Sequence, residues 1–302
     1  MSAAVLTSAD HATLDALMTW LSLPPFFDTT TSHTSARQRR LLTREHAIID
    51  QRIFAVAGNW YDIPHKASEL SRAARRRPAC TLLLTGGRAE RLTPPEAVRL
   101  GGEPMQLQSV LHNQYGVEPR RMVVYSGSRI TNDNLRAMLM YASTTYSFDK
   151  KSLGLTIFEE AFLVRREAAA LHALMKHPSA SASARALASV SIRAVGPRTF
   201  RGLVETHGGR ADVALALVLG EVVRLRAYSR NSTDGDALVL DSRAAHLEAG
   251  LAPALERLSE RHRALLASGR ALLADPAKLW AAGAAPRAPE AGSVRVERRG
   301  AV

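Results

Sequence analysis

Four short apolar runs, each ending in small or polar residues and leading into a helical pattern, set the strongest limit on how this chain folds. They are Ile53–Ala57 before Gly58-Asn59, Thr81–Leu84 before Thr85-Gly86-Gly87, Met122–Tyr125 before Ser126-Gly127-Ser128, and Leu153–Phe158 before Glu159-Glu160. Helical spacing follows each run, over His65 to Arg77, Pro104 to Tyr115, Asn132 to Ala142 and Leu163 to Met175, and a fifth strand is predicted over Ala188 to Ala194. Strands that alternate with helices at this spacing are joined by crossovers, so the pattern predicts an α/β fold with a parallel sheet covered by helices on both faces. Gly116, where a left-handed helix C-terminus belongs, and Pro119 after it agree with that parsing. In such sheets ligands bind beyond the carboxyl ends of the strands, so the residues after the four runs are expected to share one crevice.

The flanking segments read differently. Thr13 to Leu21 carries Leu14, Leu17, Met18 and Leu21 at helical spacing and stops at Pro24-Pro25, whereas Thr29 to Arg40 has no apolar period and reads as an exposed connection. After Gly196-Pro197 the spacing of Val213, Leu215, Leu217, Val218 and Val222 predicts a buried helix, and Leu251 to Leu273 is amphipathic. The organisation expected is an N-terminal helix and connection over 1–44, the α/β domain over 45–195, a smaller, mainly helical lobe over 196–280, and a disordered tail over 281–302 rich in Ala, Pro, Gly, Glu and Arg.

Composition narrows the function classes. No apolar run approaches the roughly 20 residues that span a bilayer, and the first residues lack the basic-then-apolar order of a signal peptide, so a soluble, cytoplasmic protein is expected. A single cysteine, Cys80, sits just before an apolar run and reads as a packed thiol. The formal charge of +12 comes partly from arginine clusters at 37–44, 72–77 and 295–299. No finger, recognition helix or aromatic RNA platform accompanies them, so a field drawing in small anions is favoured over nucleic-acid recognition.

Several residues after the strands can carry chemistry. Gly86 and Gly87 either admit close backbone approach to an anion or mark a turn that needs positive φ. The hydroxyls of Ser128 and Thr131 precede a helix, where they cap it or face a ligand. Of Asp133 and Asn134 in its first turn, only one is expected to face the crevice. Glu159 and Glu160, followed by Arg165 and Arg166, put candidate bases beside candidate anion clamps, or else form helix-end ion pairs. The histidines His112, His172 and His177 do not form a ligand set, so no metal is expected.

The collinear order of AVAGN at 55–59, LLLTGG at 82–87, Glu103 opening a helix, GVEPRRMVVYSGSRITNDN at 116–134, IFEEAFLVRRE at 157–167 and LGEVVRLR at 219–226 resembles the YdcF-like proteins, relatives of SanA and ElyC. The similarity runs from about Thr13 to Leu266, with Tyr125, Phe162 and Val223 departing from the family pattern and NSTDGDA at 231–237 replacing a Gly-Tyr-Gly-Pro stretch. The resemblance implies a Rossmann-like domain with a helical lobe, on the soluble branch of the family. It nominates Gly58, Asn59, Gly86, Gly87, Glu103, Ser128, Thr131, Asn134, Arg165 and Arg166 around one pocket, approached by Glu221, Arg224 and Arg226 from the lobe. Its implied ligand is a small, anionic, nucleotide-type molecule, with S-adenosylmethionine as the candidate cofactor. Group transfer or hydrolysis would then involve Glu103, Glu160 or Arg165. The alternatives are a non-enzymatic ligand sensor and, behind it, nucleic-acid binding through the arginine clusters.

Overall fold

The structure is a computed structural model that describes residues 6–22, 51–57, 63–87, 102–128, 131–149, 153–176, 187–230, 253 and 255–283. Five parallel strands run in the order β3-β2-β1-β4-β5: β1 Gln51–Ala57, β2 Thr81–Thr85, β3 Met122–Tyr125, β4 Leu153–Glu160 and β5 Leu187–Val195. This is a Rossmann-like α/β sheet. The chain moves outward from β1 through β2 to β3, then returns to lay β4 on the other side of β1, so the switch point lies between β1 and β4.

Alternation along the strands sorts side chains onto two faces. Ile53, Ala55 and Ala57 of β1 and Leu155 and Ile157 of β4 enter one core, and Phe54 and Val56 with Phe158 enter the other. The second core is covered by α2 (Ile63–Arg76) and α3 (Glu103–Tyr115). The first is larger. It takes in α1 (Ser8–Ser22), α4 (Thr131–Asp149), α5 (Val164–Lys176), α6 (Phe200–Thr206), α7 (Ala211–Arg230), residues 255–261, α8 (Arg263–Leu273) and α9 (Pro276–Ala281). All eight residues of β4 are buried, as a strand covered on both faces must be.

The differences from the sequence reading have local causes. α1 starts at Ser8 instead of Thr13 because Thr7 and Asp10 cap it reciprocally: Thr7 N–H donates to Asp10 Oδ2 at 2.9 Å and Asp10 N–H to Thr7 Oγ1 at 3.2 Å. Glu159 and Glu160 belong to β4 and not to the loop beyond it, because they continue its pairing opposite Ala194 and Val195. α4 runs on to Asp149, well past Ala142, where weakly amphipathic residues continue the helix. The amphipathic stretch ending at Leu273 is interrupted at His262, which separates helical residues 255–261 from α8. Gly269 of α8 then packs so closely on α7 that a Cβ there would lie 1.9 Å from the Asp212 carbonyl oxygen.

Candidate functional site

At the switch point the ends of β1 and β4 are joined by a lysine from the first turn of α2. Lys66 Nζ donates to the Ala57 carbonyl at 2.5 Å and to Glu159 Oε1 at 2.7 Å, and both charged side chains are 0 % exposed. Glu159 Oε1 also accepts the Glu160 N–H at 3.0 Å. Glu160 lies over Gly196, whose φ of +73° favours glycine and where a Cβ would fall 2.3 Å from Glu160 Oε2 and displace that carboxylate.

A second group of charges comes from α5 and α7. Arg166 Nε donates to Glu221 Oε1 at 2.5 Å, its Nη1 donates to the Thr131 hydroxyl, and the same Nη1 stands 3.8 Å from Glu167 Oε1. Arg224 Nη1 donates to the other Glu221 oxygen at 3.1 Å. Glu167 and Glu221 are both buried, and the cations do not outnumber the acids around them. Burial pushes Glu167 up, the Glu159 and Glu221 charges push it further against Arg166 and Lys66, and its carboxyl reaches about 8. Burial also raises Glu221, against the pull of Arg166 and Arg224. Beside Lys66, burial and the nearby His207 lower His65 to about 4, so its ring is neutral at physiological pH.

On the other flank, Gly86 N–H donates to the Tyr125 carbonyl and Ser128 N–H to the Gly86 carbonyl, both at 3.1 Å, which continues the β2–β3 pairing past the strands. Neither Gly86 nor Gly87 has positive φ, so the turn reading of the Thr-Gly-Gly segment does not hold. Gly86 is required by close approach of a different kind. A Cβ there would meet Pro104 Cδ at 2.9 Å and Glu103 Oε2 at 3.4 Å, so the start of α3 is seated on it.

Buried polar atoms normally have partners. Among the buried atoms at the strand ends and in the first turns of the helices that follow, His65 Nε2, Gln106 Oε1, Ser128 Oγ, Asn134 Oδ1, Glu159 Oε2 and Glu167 Oε2 have no partner among the described residues. Ser128 therefore does not cap α4 through a bond to a described residue, and the Thr131 hydroxyl is engaged by Arg166.

The structure thus brings together Thr131, Arg166, Glu221 and Arg224 around α4, α5 and α7, and Gly86, Glu103 and Ser128 around β2 and β3, and it seats Glu160 over Gly196 at the end of β4. Arg165 turns to α1 instead: its Nε donates to the Trp20 carbonyl at 2.8 Å and its guanidinium stacks 4.4 Å above the Trp20 ring. That nitrogen is spent on fastening α1. Gly58, Asn59 and the Arg226 side chain lie outside the described residues, as do the connection over 29–44 and the tail from 284. Cys80 is buried, burial raises its thiol, and Arg121 donates to its sulfur at 3.2 Å.

Sequence reasoning missed Lys66, His65 and Glu167. A signal existed for two of them. Lys66 stands on the apolar stripe Ile63, Ala67, Leu70 and Ala74, and Glu167 on the stripe Val164, Ala168 and Leu171, where a charged residue at helical spacing must be buried.

The fold and this set of charges define a Rossmann-like α/β protein with an ionisable cluster at its switch point. Comparison with the known protein families and with curated proteins finds no match to the chain. Among the described residues no helix is long and apolar enough to cross a membrane.

Proposed function

We propose that the protein binds a small nucleotide-type ligand at the carboxyl ends of its strands, and that S-adenosylmethionine is the ligand class its chemistry fits. The observation that carries this is Glu159 Oε2, buried at the end of β4 without a partner among the described residues, as are Glu167 Oε2, Ser128 Oγ and Asn134 Oδ1. Carboxylate oxygens accept from hydroxyl and amino donors and attract positive charge. Ribose hydroxyls, an amino group and a sulfonium supply all three, whereas a bare phosphate would meet repulsion from the Glu159 carboxylate. Arg166 and the N-terminus of α4 are the groups suited to a ligand carboxylate. With its carboxyl at about 8, Glu167 is largely protonated at pH 7 and suited to donate a proton in group transfer or hydrolysis.

The test is calorimetry of the protein against S-adenosylmethionine, ATP and a sugar phosphate. S-adenosylmethionine is expected to bind, and Glu159→Gln and Ser128→Ala each to weaken it about tenfold, the effect of losing about 1.4 kcal/mol of contact. Absence of binding, or binding that ignores both substitutions, overturns the reading. A sensor without catalysis is the second reading, supported by the Arg166–Glu221 pair that ties α7 of the lobe to the cluster. Turnover of bound ligand that Glu167→Gln abolishes while affinity persists would reject it.

A further inference from the structure

We infer that a separate groove on the α2 face of the sheet binds a compact polyphosphate. The groove encloses about 670 Å³ between α2 and the β1, β4 and β5 strands. Among the described residues six arginines line it: Arg52 from β1, Arg72, Arg76 and Arg77 from α2 and the turn after it, Arg193 from β5, and Arg198 just beyond. They come from four segments of the chain, so the sequence cluster at 72–77 is only half of the charge that the fold collects.

Among the described lining residues Glu69 is the one acid. It pairs with Arg72 and lies 4.0 Å from Arg193, leaving a formal excess of five positive charges, from six arginines and one glutamate. Like charges gathered this way repel, and an anion with several charges relieves the repulsion. Guanidinium groups bond phosphate oxygens in pairs, which suits them to this ligand better than lysines. The floor is not bare cation. Phe54 and Phe158 pack edge to face at 5.5 Å, Arg193 lies 5.8 Å from the Phe158 ring, and Thr156 Oγ1 accepts from Ser191 Oγ at 3.1 Å and Arg52 Nη1 at 3.4 Å.

The volume falls in the range of small-molecule sites, which run to roughly 300–1,000 Å³. A concave site of that size suits a compact polyanion better than a nucleic-acid backbone, which tracks along an extended surface. The groove is also distinct from the strand-end cluster. Arg76 and Lys66 sit on the same helix about 15 Å apart along its axis, and β4 turns Phe158 to the groove side while Ile157 faces the opposite core.

The experiment is calorimetry of the full chain against inorganic tripolyphosphate, with a single-stranded DNA 12-mer as comparison. Tripolyphosphate is expected to bind one to one, tenfold or more weaker in Arg76→Ala/Arg198→Ala, and tighter in Glu69→Gln, which removes the opposing charge. The double variant carries only exposed substitutions, so its unliganded melting temperature and its response to S-adenosylmethionine are expected to match the parent. If that variant does not fold, Arg193→Ala alone carries the same expectation of weakened binding. No binding of tripolyphosphate at low salt, binding unchanged in these variants, or affinity for DNA alone would each overturn the inference.

Discussion

The two ends of α2 carry the same sign of charge to opposite fates. At its N-terminal end Lys66 is withdrawn from water and held by the Ala57 carbonyl and the Glu159 carboxylate. At its C-terminal end Arg76 and Arg77 stay exposed on a groove whose arginines outnumber its acid. A buried charge must be compensated by its neighbours or the fold loses several kcal/mol, whereas solvent tolerates an uncompensated one at little cost. The first end is therefore an element of stability and the second is free to serve binding.

The sharpest way to break this contrast is Lys66→Met. It strands Glu159 in the core and is expected to cost about 3–5 kcal/mol in urea denaturation, while adding Glu159→Met is expected to recover most of the loss, because an apolar pair of similar volume replaces a buried ion pair at little cost. If Lys66→Met costs no more than an arginine at the other end of the helix, the contrast fails.

Glu167 gives the next largest effect and a direction in pH. Its carboxyl is raised from 4.5 to about 8 in the folded protein, so the folded state binds more protons than the unfolded chain between those values. Stability is then greatest below about pH 4.5 and falls as pH rises toward 8, by about 2 kcal/mol between about pH 6 and 7.5. Denaturation midpoints measured across that window are expected to decline in the parent and to flatten in Glu167→Gln. Glu221, raised in the same direction, adds to the slope.

Asp10 behaves with the opposite sign. Burial pushes it up, but the Thr7 N–H, the His262 ring 2.9 Å away and the Thr7 hydroxyl outweigh burial and hold it at about 2, below its ordinary 3.8. Its stabilisation is fully present above about pH 4 and is lost as pH falls toward 2. Asp10→Asn is expected to cost about 1.5 kcal/mol at neutral pH and to remove that acid limb, read by thermal melting. The smallest effect belongs to the open end of α2: Arg76→Ala is expected to move stability by less than about 0.5 kcal/mol, because a surface substitution breaks no buried partner.

Much of this molecule is legible in its sequence. The apolar runs located all five strands to within about two residues, because a buried parallel strand must be continuously apolar and a following helix must show its period. Glu160, Arg166, Thr131, Glu221 and Arg224 were legible as strand-end or lobe residues. Their partners were not. Arg165 and Arg166 are neighbours in sequence, yet the helical turn sends one to the Trp20 carbonyl and the other to Glu221. Lys66, Glu167, Glu221 and Asp10 all stand on apolar stripes of their helices, and that shared signal marks each as buried without saying what neutralises it.

The sequence by itself determined the α/β class, the parallel sheet and the end of it where polar residues collect, since these follow from periodicities of two and 3.6 that each segment carries alone. Only the tertiary structure decided which charges meet. The pairing of Lys66 with Glu159 spans 93 residues and that of Arg166 with Glu221 spans 55, and the arginine groove gathers side chains from four segments. Coulomb energies and desolvation depend on distance and burial in space, and no local pattern encodes either.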